Sequence, residues 1–292
     1  MNARPVSRRT VLTCALLALG SLSLAASAEA AGKKNPTSKL YVTDVEGKAE
    51  IDTGERIEDI TKKSVYTAQG TVIETKPNAT NAMVFSNGAG VFFDPDTRIE
   101  VKRFVQEPFS PNRTDLEVEP SISQTQISIA RGAVGLCTSK LVAGSRMVYS
   151  TPHASVSIRG KKVVIEADEY ETRISLLEGD VTVRGGDSDV GGQTLRGGQQ
   201  AVIRRPPGEP PTFQVQPIPD AQQAALDDKV SQACMARRTV YFEVADRKDE
   251  NDPEASPESV FATDDEPGQE IEPVEVVPAD LPVQFTISPS SK

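Results

Sequence analysis

The residues best placed to do chemistry lie in the stretch TPHASVSIRGKK, residues 151–162. There the only histidine of the chain, His153, stands close to Ser155, Ser157, Arg159, Lys161 and Lys162. An imidazole among hydroxyls suits a base beside a nucleophile, and neighbouring cations suit an anion. A triad also needs an orienting carboxylate and a nucleophile, and no Gly-x-Ser-x-Gly elbow occurs in the chain. On a regular strand His153, Ser155, Ser157 and Arg159 share one face, while Ala154, Val156 and Ile158 point to the other. That parity predicts a surface histidine on a polar strand face. No catalytic set is therefore expected, and His153, Arg159, Lys161 and Lys162 stand as a candidate ligand-binding group.

Metal and cofactor chemistry is weakly signalled. DSDVGG, residues 187–192, opens like a calcium loop, but glycine stands at the third oxygen position and Gly198 at the twelfth, where an acid is needed. DPDT, residues 94–97, is better explained as a β-turn with proline inside it. SNGAGVFF, residues 86–93, leads from a Gly-x-Gly pair into strand-like residues and not into a helix N-terminus, so it offers no phosphate cradle. No four-ligand Cys/His cluster suits zinc. The expectation is no cofactor and no metal.

The elements that must carry these residues are short strands. From residue 40 to about 205 apolar and polar residues alternate, with turn-forming clusters every ten or so positions: KPNAT, SNGAG, DPDT, LEGD. In RIEVKRF, Ile99 and Val101 face one way and Arg98, Glu100 and Lys102 the other, so each strand is expected to have one wet side. The fold class expected is all-β: an antiparallel, short-stranded two-sheet sandwich or β-roll over one core. A proline-rich joint, RRPPGEPP, follows. Residues 206–245 then supply one appended C-terminal helix, with Pro219 and Asp220 as its cap and Leu226, Val230, Ala233 and Cys234 on one stripe, packing back on the sheets. TVYFEVA reads as a further short strand. The stretch 246–292 holds thirteen acids against three bases and many prolines, the composition of a disordered acidic tail, in which LPVQFTIS could pair with a sheet edge.

Composition narrows the partners. The formal net charge of −10, the absence of tryptophan and an aromatic content of 5% argue against nucleic acid. Arg4, Arg8 and Arg9 before the apolar run Val11 to Ala26, with small residues around Ala28, read as a signal peptide over 1–28, of Sec or twin-arginine type. Cys14 lies too early in that run for lipid attachment. Without another long apolar run the mature chain is expected to have no membrane span. Export leaves Cys137 and Cys234 in a disulfide-permissive compartment, where they either pair or sit separately as small buried residues.

The run GTVIETKPNATNAMVFSNGAGVFFDPDTRIEVKRFVQEPFSP, followed by QISIARGAVGL, SRMVYSTPHASVSIRG and RISLLEGDVTVRGG, resembles the FecR domain family over roughly residues 40–205. The resemblance implies an all-β periplasmic module with no established catalytic residues, known best from anti-sigma regulators that respond to an outer-membrane transducer. This sequence shows an export signal where those regulators have a cytoplasmic segment and a membrane helix, so sigma-factor regulation is not expected of it. It also carries Lys161 where the family strand motif continues Arg-Gly-Thr. The expected function is a non-enzymatic exported module that binds a protein or envelope polymer in the periplasm or at the cell surface. The alternatives are a structural component of an envelope complex and, more remotely, an envelope hydrolase.

Overall fold

The computed structural model describes residues 38–109, 117–159, 161–185, 192–244 and 274–278. The signal-like segment, most of DSDVGG, Gly160 and LPVQFTIS lie outside the described residues. The elements run β1 (Lys39–Glu46), β2 (Ala49–Asp52), β3 (Ile57–Asp59), β4 (Val65–Thr67), β5 (Val72–Thr75), β6 (Thr80–Phe85), β7 (Gly90–Phe93), β8 (Arg98–Gln106) and β9 (Ser123–Cys137). They continue with β10 (Arg146–Ser150), β11 (Ala154–Ile158), β12 (Lys162–Ala167), β13 (Glu171–Glu178), β14 (Val181–Gly185), β15 (Gln193–Leu195), β16 (Gln199–Arg204) and β17 (Thr212–Pro217). Helix α1 (Asp220–Arg238) and strands β18 (Val240–Val244) and β19 (Val274–Pro278) complete the order.

These strands form two sheets that share β9. The first runs β4-β1-β6-β7-β9-β12-β13-β16-β17. The second runs β3-β2-β5-β8-β9-β10-β11-β14-β15. Among the described residues neither closes on itself, so the architecture is a sandwich with four edges. Pairing is antiparallel throughout these two sheets except between β9 and β10, which run parallel. β9 crosses from the second sheet to the first at Gly132, whose φ of 93° is a conformation that glycine adopts without steric cost. A Cβ there would also lie 2.3 Å from the Thr97 hydroxyl oxygen.

The alternating residues do what their spacing predicts in the second sheet. Ile99, Val101, Ile127 and Ile129 are buried while Glu100, Lys102 and Gln126 face water, and Leu40, Met83, Phe93, Leu136, Val163 and Ile165 come from the first sheet to meet them. The first sheet differs from expectation because its central strands are dry on both faces. α1 crosses its outer surface over β6, β7, β9 and β12, so Val84 and Val164, which point away from the central core, are buried too. Leu226, Val230, Ala233 and Ala236 form the buried stripe of the helix. It can lie this close because Gly90 and Gly135 have no side chains: a Cβ on them would sit 2.1 Å from the Ala233 carbonyl oxygen and 2.8 Å from that of Lys229. Cys234 completes the attachment through a disulfide to Cys137, with the two Cα atoms 5.1 Å apart.

The cap of α1 is simpler than expected. Pro219 occupies the N-cap in an extended conformation with no side-chain cap bond, and Asp220 acts only as a first-turn acid facing the helix dipole. Arg237 and Arg238 close the last turn with the complementary charge. β18 follows at once and pairs antiparallel with β19, which gives the described part of the acidic tail a strand partner.

Candidate binding surface

His153 is not on a polar strand face. It precedes β11 in the turn from β10 and is only 7% exposed. The strand parity that predicted a surface position begins one residue later, at Ala154. Thr151 organises the turn: its hydroxyl oxygen accepts the amides of His153 at 3.3 Å and Ala154 at 3.0 Å, and lies 2.9 Å from the hydroxyl of Thr172 on β13. The His153 Nε2 lies 3.2 Å from the carbonyl oxygen of Asp168, in the turn between β12 and β13. With Nε2 carrying the proton, the imidazole donates across the two sheets and ties one turn to the other. Its Nδ1 is buried with no hydrogen-bond partner among the described residues. This is the geometry of a structural latch.

Arg159, Lys161 and Lys162 gather at the opposite end of β11, five strand residues away, roughly 20 Å at about 3.3 Å per residue. The structure thus divides the candidate group of four into a latch and a basic edge. Lys161 lies 3.2 Å from a Glu117 carboxylate oxygen and 3.7 Å from Glu178, and Lys162 lies 3.0 Å from Glu178. The Glu117 hydrogen bond, followed by the charges of Glu117 and Glu178, holds Lys161 above the ordinary lysine value. Lys162 is the main cause that draws Glu178 below the ordinary carboxylate value. Arg159 is exposed, and its backbone amide donates to the Asp180 carbonyl at 3.0 Å.

Two open cavities flank the β12–β13 turn on the helix side of the first sheet. One, of about 330 Å³, is lined by Asp94, Glu166, Asp168, Glu171 and Arg173; the other, of about 400 Å³, by Asp168, Tyr170, Glu171, Arg204 and Pro206. Most of their charges are committed to one another, while the Asp168 carboxylate accepts the amides of Tyr170 and Glu171. Arg173 pairs with Glu166 and Glu171, Arg204 with Glu171, and Lys229 of α1 with Asp94 and Glu166. Burial opposes the charge on Lys229, but its two carboxylate partners outweigh burial and raise its pKa. In the DPDT turn Asp94 and Asp96 therefore face Lys229 and Arg131 rather than a common point. Among the described residues no group of three or more His, Cys, Asp or Glu side chains is arranged to hold a metal ion.

Sequence reasoning missed Glu119, which is 3% exposed. Its carboxylate accepts from the Ser123 hydroxyl at 3.0 Å, the Val142 amide at 3.1 Å and the Ser145 hydroxyl, pinning the loop between β9 and β10. Burial pushes its carboxyl above the ordinary value despite these bonds. No spacing signal could have found it, because two of its three partners come from the loop between β9 and β10, more than twenty positions away in the chain.

A two-sheet β sandwich with β9 shared between the sheets is the architecture; the family comparison gives it a more particular description. The chain carries a FecR domain: the family model described as FecR protein matches residues 71–182, from the start of β5 to the start of β14. The sandwich extends beyond that match on both sides, through β1 to β4 and through β15 to β17. Two crystal structures of a candidate anti-sigma factor from Parabacteroides distasonis ATCC 8503 are similar at 16% identity and a TM-score of 0.39, covering 53% of this chain. This chain spans 62% of that protein's length. No curated protein matches. Among the described residues no helix is long and apolar enough to cross a membrane.

Proposed function

We propose that this protein is a non-enzymatic extracytoplasmic module that binds a protein or a cell-envelope polymer. The observation that carries this reading is the Cys137–Cys234 disulfide, because such a bond persists in oxidising compartments and is rare in the cytosol. The export-type N-terminus and the FecR domain agree with it. A non-enzymatic role is supported by how the ionisable groups are used: the cavity carboxylates Asp94, Glu166 and Glu171 are engaged by Lys229, Arg173 and Arg204, and the His153 ring reaches a backbone carbonyl. Contact with the partner is assigned to the basic edge of Arg159, Lys161 and Lys162, where Arg159 projects into solvent beside two lysines that pair with Glu117 and Glu178.

Mild crosslinking in an envelope extract, followed by capture of the tagged protein, tests the reading. The expected result is a specific partner that the triple variant Arg159→Glu, Lys161→Glu, Lys162→Glu recovers at least tenfold less. Equal recovery by the variant would remove the basic edge from the proposal. Failure to recover any specific partner, with the protein confined to the cytoplasmic fraction, would overturn the module itself.

A further inference from the structure

The four edges of the sandwich are unequal. β3, β4 and β15 are three residues long; β3 contains Glu58 and Asp59, and β4 follows Lys62 and Lys63. Short length and charge are common means by which natural sheets keep their edges from pairing. β17 has neither: it is six residues long, uncharged, and pairs with β16 in an unbroken register. Among the described residues its other side meets no strand, and five of its six residues are exposed.

The sequence of this edge reads nearly the same in both directions. Pro211-Thr212-Phe213-Gln214-Val215-Gln216-Pro217 places a proline at each end, a polar residue inside each proline, an apolar residue next, and Gln214 at the centre. A two-fold axis normal to the sheet brings residues equally far from it into opposition, so this symmetry sets apolar against apolar and polar against polar when the strand pairs antiparallel with its own copy. With the axis at Gln214, Phe213 faces Val215 of the second copy on the core side. Thr212 faces Gln216 on the other side, and Gln214 faces itself. Pro211 and Pro217 lack an amide hydrogen and end the ladder at both ends. The apolar pair covers Val215, which is 36% exposed in the single chain, next to Phe213, which packs against the core near Gly185. The same operation on β3 would set Glu58 against its own copy.

The geometry points to β17 as a self-pairing edge that joins two copies of this chain through one continuous sheet. The partner is a second copy in antiparallel register centred on Gln214.

Sedimentation of the full chain carrying Cys14→Ser tests this together with a cysteine scan. A reversible dimer is expected for the parent. Gln214→Cys should form an intermolecular disulfide on air oxidation, because opposed Cα atoms lie about 4.5–5.5 Å apart, within bridging range. Gln216→Cys should not, because its two copies are about 14 Å apart at about 3.4 Å per residue. Gln214→Lys, which sets two cations on the axis, should weaken the dimer at least tenfold. The proposal is overturned by a parent that stays monomeric up to about 1 mM, the range of the weakest specific association. It is equally overturned by crosslinking that does not distinguish residues 214 and 216, or by a dimer indifferent to Gln214→Lys. A monomer that binds an extended peptide of another protein along β17 falls in the first of these outcomes.

Discussion

Cys137, the last residue of β9, is bonded to Cys234 of α1 across 97 positions of sequence. β9 is the strand common to both sheets, so the bond fixes the helix to the one element that holds the sandwich together. The helix in turn dries the outer face of the first sheet. Removal of the bond should therefore loosen the helix before it loosens the core.

The double variant Cys137→Ser, Cys234→Ser should lose about 2–5 kcal/mol of unfolding free energy, as native disulfides closing long loops commonly contribute. Denaturant unfolding with and without reductant measures it. An unchanged midpoint would show that Leu226, Val230, Ala233 and Ala236 already hold the helix fully.

Gly90→Ala should destabilise the protein by about 1–3 kcal/mol, the usual range for overpacking. The added Cβ would meet the Ala233 carbonyl oxygen at 2.1 Å, a backbone atom that moves only if α1 lifts. Thermal melting reads the loss, and hydrogen exchange should show faster exchange in α1 than in β9. Equal exchange in both would argue against the helix as the yielding element.

Glu119 should make stability depend on pH in a definite direction. Burial raises its folded pKa above the ordinary value of 4.5, so its contribution is fully present below that value and is lost as pH rises through the folded pKa. Glu119→Gln should remove this component while keeping an acceptor for Val142 and Ser145. The difference in unfolding free energy between parent and variant should shift against the parent from about pH 4 upward, by no more than about 1.4 kcal/mol per pH unit. A constant difference across pH 4 to 8 would contradict the assignment.

His153→Ala should cost about 1–3 kcal/mol, through the space left by a buried ring and the hydrogen bond lost to Asp168. Recovery of an envelope partner should stay unchanged, because the histidine lies at the far end of β11 from the basic edge. A variant with parental stability and lost partner recovery would return His153 to the binding surface.

Much of the fold was legible from local chemistry. Alternation located Ile99, Val101, Ile127 and Ile129 correctly because each sits on a strand with one dry and one wet face. The stripe on residues 226–234 was legible for the same reason at helical spacing. The candidate site was less legible. His153 was misplaced because parity says which face a strand residue takes but not where the strand begins. Gly90 and Gly135 carried a readable hint, since glycine inside a strand marks a close backbone approach.

Sequence by itself determined most strands between residues 40 and 205 and the stripe of α1, because these depend on side-chain type at periods of two and 3.6 residues, whereas β17 lies in a proline-rich stretch where no strand was legible. Only tertiary structure decided that α1 dries the outer face of β6, β7, β9 and β12, that Cys137 meets Cys234, and that Glu119 is held by donors of the loop between β9 and β10. Each of these relations joins positions far apart in the chain, and no periodicity encodes the distance between such positions.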